Sequence, residues 1–554
     1  MGSIVTSGPF LRIPPFPGHR AQPLVRPGNA SPAADGAELV TLLRRWRVGA
    51  NFWGPSFAGS AGRDIVLCPS DRASPALLLD AVRTTGLVDR AVVRGSFTDM
   101  PGLPWLPADT DPWTLCANAA MVLAHADDEI ALVAGLCSAE LRLFGEGRFS
   151  ALTGASTLAD VVQRELCGDW EYRDPYQGGA ITVAAAIGML GQWRSLIDSN
   201  RPISTIHGIA RWKRITADVL LWDGTGPVRH ASPGKNRQGQ QRHGGDQVLA
   251  WITRSDAAQI AELEARGIHI GEIEDGMIRS KGLGANCVPP LSIVVDPAGP
   301  HFDPAQASSL ETILQTASID DDLLTRAQAL RDRLVTSGIS KYEQDSERPQ
   351  TIARSDGRRL VLVTGQVEDD RSVLCGGAGL DNLELVRRTR LAEPDAWIIF
   401  KPHPDVEAGH RKGMVPDARA LEYADEIDRT SSIAALLDRI DAIHVLTSLA
   451  GFEALMRGIE VTTHGVPFYA GWGLTRDLGP VPARRTRIRN LDELVAAALI
   501  LYPRYVDPVT RLPCSPELLV ERIASGKAEV RSPLIGLREF QGRLNRLFRW
   551  TNWR

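Results

Sequence analysis

The sequence is short of several things, and each shortage removes a class of function. Only seven of its 554 residues are cysteine. They run from Cys68 to Cys514, are odd in number and never form a Cys-x-x-Cys pair, so neither a disulfide framework nor a zinc site is indicated and a cytoplasmic protein is expected. No stretch of about twenty uninterrupted apolar residues occurs. The first thirty residues mix Pro, Gly and Arg without the apolar core of a secretory signal, so a chain integral to a membrane is not expected. The net charge of -4 gives no global basic face for nucleic acid. A Gly-x-x-x-x-Gly-Lys-Ser/Thr loop is missing, as is a Gly-x-Gly-x-x-Gly after a strand, which speaks against P-loop and dinucleotide chemistry.

What remains is an ordinary globular composition, 44% hydrophobic and 23% charged, with length for about three or four domain-sized units. Residues 1–60, rich in Pro, Gly and Arg, read as an extended arm with one helical patch at 38–48. From Asp64 onward strand-like and helical patterns alternate, the mark of an α/β protein. Residues 219–222 read as a strand, 291–296 with 301–303 as a hairpin, and 310–334 as a helix.

An internal repeat organises the chain. Residues 119–123 followed by 129–135 mirror 442–446 followed by 452–458 at a nearly constant offset, and 158–162 and 172–175 echo 491–495 and 505–508. We read a duplicated module whose first copy has decayed. Where the second copy has Thr447-Ser448 the first has Ala124-His125, and nothing in the first resembles the acidic strand end that follows.

That strand end is Leu360-Val361-Leu362-Val363-Thr364-Gly365-Gln366-Val367-Glu368-Asp369-Asp370-Arg371-Ser372. A buried parallel strand that discharges into three acids places carboxylates in the ligand crevice of an open α/β sheet. A second acidic strand end, Glu274-Asp275-Gly276-Met277-Ile278-Arg279-Ser280, follows a compact βαβ pattern at 248–273. Lys401-Pro402-His403-Pro404 presents an ammonium and an imidazole suited to a phosphate. Thr447-Ser448 opens a helix, where hydroxyls, free N–H groups and the macrodipole favour an anion; Glu453, further along that helix, is placed to accept from ribose hydroxyls. Two successive Rossmann-like halves facing one another across a cleft are implied.

These stretches, with Thr447-Ser448-Leu449-x-Gly451-Phe452-Glu453 and Pro467-Phe468-Tyr469-Ala470-Gly471-Trp472-Gly473, together resemble the bacterial capsule β-Kdo transferases of the KpsC type. The resemblance runs from about residue 206 to 530 and is closest to the carboxyl-terminal module of that two-module family. It implies a GT-B-like, metal-independent, retaining glycosyltransferase that uses CMP-Kdo as donor, without a cofactor, and adds Kdo to the 7-hydroxyl of a Kdo-terminated glycolipid in capsular polysaccharide synthesis. By resemblance Asp370 is the nucleophile that forms a glycosyl adduct and Glu274 the acid of the opposite lobe that handles the acceptor proton. Gln366, Lys401, His403, Thr447, Ser448 and Glu453 fall on the donor side, and Arg279 is a fork for the Kdo carboxylate. Asp275, Asp369, Ser372, Tyr469 and Trp472 are further candidates, since spacing does not separate adjacent acids.

The expected architecture is therefore α/β: a 1–60 arm, a degenerate module at 61–205, an acceptor-side lobe at 206–355, a donor-nucleotide lobe at 356–515, and helices at 516–554. The last of these end in a basic amphipathic stretch (Leu537, Phe540, Leu544, Leu547, Phe548 and Trp550 among arginines) suited to an anionic membrane surface. A transferase for another CMP-activated ulosonic acid, and a non-catalytic capsule-assembly scaffold, are the alternative readings.

Overall fold

The computed structural model describes residues 8–28, 34–59, 62–95, 100, 102–231, 246–278, 288–339, 357–409 and 411–528. The chain forms two compact units: one of residues 1–202, 221–228 and 510–512, the other of the remainder.

The first unit is built on a parallel five-stranded sheet. Its strands in chain order are β1 (Val25–Pro27), β2 (Ile65–Cys68), β3 (Ala91–Arg94), β4 (Trp105–Leu106), β5 (Met121–His125), β6 (Glu140–Phe144) and β7 (Trp170–Tyr172). The sheet runs β4-β3-β2-β5-β6, with the first of its strands in the middle, while β1 and β7 form a separate antiparallel pair. The residues expected to be an arm are part of this unit. Phe10, Leu11, Phe16 and Leu24 are buried, and the helix Gly36–Trp46 buries Leu39, Val40 and Leu43 and packs on the helices Leu158–Cys167 and Val183–Asn200. The prolines and glycines break periodicity without removing large apolar side chains, and each of those finds its own place in the core.

The second unit contains two sheets. Its strands are β8 (Ile203–His207), β9 (Arg229–His230), β10 (Gln247–Ala250), β11 (Ile270–Asp275), β12 (Ser292–Asp296), β13 (Leu360–Thr364), β14 (Trp397–Lys401), β15 (Glu426–Ile427), β16 (Ala442–Val445), β17 (Glu460–Thr463), β18 (Arg476–Asp477), β19 (Arg504–Val506) and β20 (Pro513–Cys514). One sheet runs β15-β14-β13-β16-β17-β18, all parallel. All five residues of its central strand β13 are buried, so its Val and Leu side chains each gain roughly 1.5–3 kcal/mol on leaving water. The other sheet is mixed, in the order β20-β19-β12-β11-β10-β8-β9. Strands β8 to β11 are parallel, and β12, β19 and β20 join antiparallel.

Three local expectations are corrected. Residues 214–220 are a helix, Arg214–Leu220, in place of a strand at 219–222; Thr216, Ala217, Val219 and Leu220 are buried at helical spacing, and so short an apolar run reads either way. Strand β12 pairs with β11 and β19, and 301–303 is not its hairpin partner. The long helix is two, Ser309–Thr316 and Asp321–Thr336, because Ser308 and Asp320 each cap a new start. Strands β19 and β20, expected in the donor lobe, complete the acceptor-side sheet. The basic stretch beyond residue 528 lies outside the described residues, and no helix among the described residues is long and apolar enough to cross a membrane.

Candidate functional site

The carboxyl ends of β11 and β13, from the two sheets of the second unit, line one cleft of about 260 Å³. Its wall carries Glu274 and Asp275 from β11, Gln366, Asp370 and Ser372 from the turn after β13, His403 after β14, and Thr447 and Ser448 after β16. Ligands of open α/β sheets sit at strand carboxyl ends for the reason visible here: the apolar strand is buried while the chain leaving it is free to carry polar groups.

The turn after β13 is held rigidly. The Gly365 N–H donates to the Lys401 carbonyl at 2.8 Å. The Asn382 side chain takes the Gln366 N–H and donates to the Gln366 carbonyl, both at 2.8 Å. The Gln366 side chain in turn accepts from the Thr447 N–H and donates to the Thr447 hydroxyl, both at 2.9 Å, and so ties two strand ends together. Asp370 caps the helix Arg371–Gly376, and its Oδ1 accepts the Ser372 N–H at 3.0 Å and the Ser372 hydroxyl at 2.7 Å. Asp369 is exposed, lies outside the cleft wall and pairs with Arg411 at 3.1 Å. Adjacent acids that spacing leaves equivalent are thus placed differently by a single turn of chain.

Across the cleft, burial pushes the Glu274 carboxyl up to about 7, reinforced by the charge of Asp275 and opposed by Lys213 and Arg371. A carboxyl balanced in this way both takes and gives a proton near neutrality. Asp275 is held by Lys213 at 2.8 Å, and the Lys213 ammonium stands 3.4 Å from the centre of the Trp251 ring.

The donor-side residues divide. The His403 Nδ1 accepts the Asp405 N–H at 3.1 Å, capping the turn Pro404–Glu407 and leaving the ring proton to Nε2. Ser448 caps the helix Leu449–Met456 through the Ala450 N–H at 3.2 Å. Lys401 does not line the cleft; it is buried beneath it, where burial lowers its pKa against the pull of Asp428. Glu453 is buried in its helix. Tyr469 and Trp472 are wholly buried; the Tyr469 hydroxyl donates to the Ser448 carbonyl and the Trp472 Nε1 to the Phe468 carbonyl, so both brace the cleft from behind. Arg279 lies outside the described residues. His301, Phe302, Asp405, Arg411 and Phe468 also line the cleft. Of these only Arg411 carried a signal, as a cation shortly after the Lys-Pro-His-Pro turn.

Residues 246–505 match the family model described as capsule polysaccharide biosynthesis protein. A solved structure of the Thermosulfurimonas dismutans KpsC β-Kdo 2,4 transferase is 30% identical, with a TM-score of 0.51, over 58% of this chain and 98% of that one. The chain belongs to the capsule polysaccharide biosynthesis protein family. Another solved relative, the β-Kdo 2,7 transferase of the same KpsC, is 32% identical over 59% of this chain and 99% of that one, with a TM-score of 0.46. Capsule polysaccharide modification protein LipA of Neisseria meningitidis serogroup A is 39% identical over 340 residues, 61% of this chain and 48% of that protein. Lipopolysaccharide-processing protein LpsZ of Rhizobium meliloti is 44% identical over 241 residues, 43% of this chain and 54% of that protein. The chain spans about half the length of the curated relatives it matches. The capsule-synthesis family match lies within the stretch that forms the second unit and includes every cleft residue named above.

Proposed function

We propose that the cleft is the active site of a retaining β-Kdo transferase that takes Kdo from CMP-Kdo and adds it to a Kdo-bearing glycolipid in capsular polysaccharide synthesis. The observation that carries this reading is the meeting of Asp370 and Glu274, from two separate sheets, in the wall of one cleft. Family membership and the relatives named as KpsC β-Kdo transferases support the choice of sugar.

In the first step a carboxylate oxygen of Asp370 attacks the anomeric carbon. The bond to the phosphate oxygen breaks with its electron pair, and CMP leaves. In the second step the acceptor hydroxyl attacks that carbon, the Asp370 ester bond breaks to return the carboxylate, and the hydroxyl proton passes to the Glu274 carboxylate. Two displacements at one carbon give net retention. The Ser372 bonds to Asp370 Oδ1 fix the carboxylate and leave Oδ2 to the sugar. A single donor phosphate is answered by His403, Arg411 and the helix start at Ser448, so the proposal includes no metal. The glycolipid acceptor brings the protein to the inner face of a membrane, where the basic sequence 531–554 is its contact.

Intact-protein mass spectrometry after incubation with a CMP-Kdo generating system and no acceptor tests the reading. A Kdo-sized mass increase, lost in Asp370→Ala and kept in Asp369→Ala, is expected. The reverse pattern moves the nucleophile, an adduct formed only from another CMP-ulosonic acid changes the donor, and CMP binding with neither adduct nor product makes the chain a scaffold. Truncation at residue 530 lowers binding to anionic liposomes while activity on a soluble acceptor survives; equal binding removes the membrane contact.

A further inference from the structure

One ion pair joins the two sides of the cleft at the point of reaction. Arg371 follows Asp370 directly, at the first position of the helix that Asp370 caps. Its guanidinium forks onto Glu272, with Nη1 2.6 Å from Oε2 and Nη2 2.9 Å from Oε1. The same Nη1 stands 3.8 Å from Glu274 Oε1, and the group lies over the Phe302 ring at 5.2 Å. Glu272 and Glu274 are two residues apart on β11 and so share a face of the strand. The cation that reaches Glu274 is therefore one already committed to a neighbouring carboxylate.

We propose that Arg371 is a positioning residue that, by dividing its charge between Glu272 and Glu274, governs the proton exchanged at Glu274 and locks that exchange to the placement of Asp370. The proposal rests on the reading of Glu274 as the proton-handling group. The other groups that face Glu274 are accounted for. On its own strand Asp275 is held by Lys213, which comes from the turn Arg211–Lys213 and acts on Glu274 from the far side. Tyr502, whose hydroxyl donates to Asp296 at 2.8 Å, is buried and keeps its proton. His301 and Asp370 complete the cleft wall. Of the two cations, only Arg371 also belongs to the turn that carries the nucleophile. Its fork makes the acid on one lobe depend on the carboxylate of the other.

The geometry makes the two partners of the pair act with opposite sign. Removing the cation in Arg371→Met leaves two carboxylates on one strand face without it, so Glu274 holds its proton more tightly. Removing the competitor in Glu272→Gln frees the guanidinium for Glu274, which then releases its proton more readily. Arg371→Lys keeps the charge and loses the fork, and it largely restores the unmutated behaviour.

The test is an isotope-edited infrared titration of the full chain without substrate, with the Glu274 carboxyl band assigned by its loss in Glu274→Gln. Arg371→Met is expected to raise the titration midpoint by about one pH unit and Glu272→Gln to lower it by about as much. In a transfer assay the basic limb of the pH profile moves with each midpoint, and Arg371→Met is slowed about fivefold at pH 7 as the ionised fraction falls. Midpoints that stay put, or that move in one direction in both variants, overturn the proposal. Should Arg371→Met fail to fold, Glu272→Gln and Arg371→Lys still decide it. Opposite shifts in a protein that transfers no Kdo would leave the inference standing and defeat the transferase reading, and immobile midpoints in an active transferase would do the reverse.

Discussion

The five-stranded sheet of the first unit and the six-stranded sheet of the second are the instructive pair. Both begin with their central strand, add the next on one side and the later ones on the other. Agreement extends to single bonds. The Tyr172 hydroxyl donates to the Leu166 carbonyl at 2.9 Å and the Tyr505 hydroxyl to the Leu499 carbonyl at 2.7 Å. Val25 pairs with Tyr172 across an antiparallel ladder, as Ser292 does with Tyr505. Thr157 with Asp160, and Asn490 with Glu493, each close a capping box. We read the two as copies of one module. They part at the strand ends. In the second copy the polar groups after the strands line a cleft. In the first, Arg12 forks onto Glu129 at 2.7 Å through both nitrogens, Arg148 is paired with Glu165, Arg72 with Asp127, and the His125 Nδ1 accepts the Asp127 N–H at 3.1 Å. The lesson is that a sheet survives the loss of a site, because its stability lies in buried strands and its chemistry in the few residues that follow them.

The comparison can be broken most decisively at the nucleophile. Asp71-Arg72 stands beyond β2 where Asp370-Arg371 stands beyond β13. Asp370→Asn is expected to reduce Kdo transfer at least about a thousandfold, and Asp71→Asn to leave it within about twofold; a large loss in the latter would restore a working site to the first unit.

A second contrast lies in buried acids. The pKa of Glu274 is raised from 4.5 to about 7, so the stability linked to its proton is fully present below about pH 4.5 and lost as pH rises through 7. Glu274→Gln is therefore more stable than the parent at pH 8, by on the order of 2 kcal/mol, with the advantage gone at pH 4. Glu165→Gln, which strips Arg148 of its buried partner, is less stable at pH 8 by roughly as much. Urea unfolding at the two pH values reads both signs.

Smaller effects sharpen the picture. Ser448→Ala is expected to raise the donor KM about tenfold and to weaken its helix by about 1 kcal/mol, whereas His125→Ala leaves the donor KM unchanged in the same steady-state assay. Smallest of all, Tyr172→Phe and Tyr505→Phe each cost about 1 kcal/mol in urea unfolding, with equal losses expected from equivalent hydroxyl–carbonyl bonds.

Much of this was legible in the residues. The run from Leu360 to Thr364 and the acids beyond it announced a buried strand and a crevice, the constant offset between copies announced the repeat, and the motifs announced the family. The membership of the amino-terminal residues in a core was hidden, because Phe10 and Phe16 pack singly among prolines and leave no period to read. The sequence also showed no acid at the end of the first copy's central strand, where Asp71 stands, since one acid among Ser70, Arg72 and Ala73 carries no pattern.

By itself the sequence determined the strands, their order along the chain and the acids at their ends, since those follow from local apolar periodicity and from caps within a few residues. Only the tertiary structure decided which groups meet. It turned Asp370 into the cleft and Asp369 out of it, put Lys401 beneath the floor, and brought Arg371 from one sheet onto Glu272 and Glu274 of the other, 99 residues apart in the case of Glu272. A contact between strand ends that distant depends on how two sheets are packed, and no local pattern encodes it.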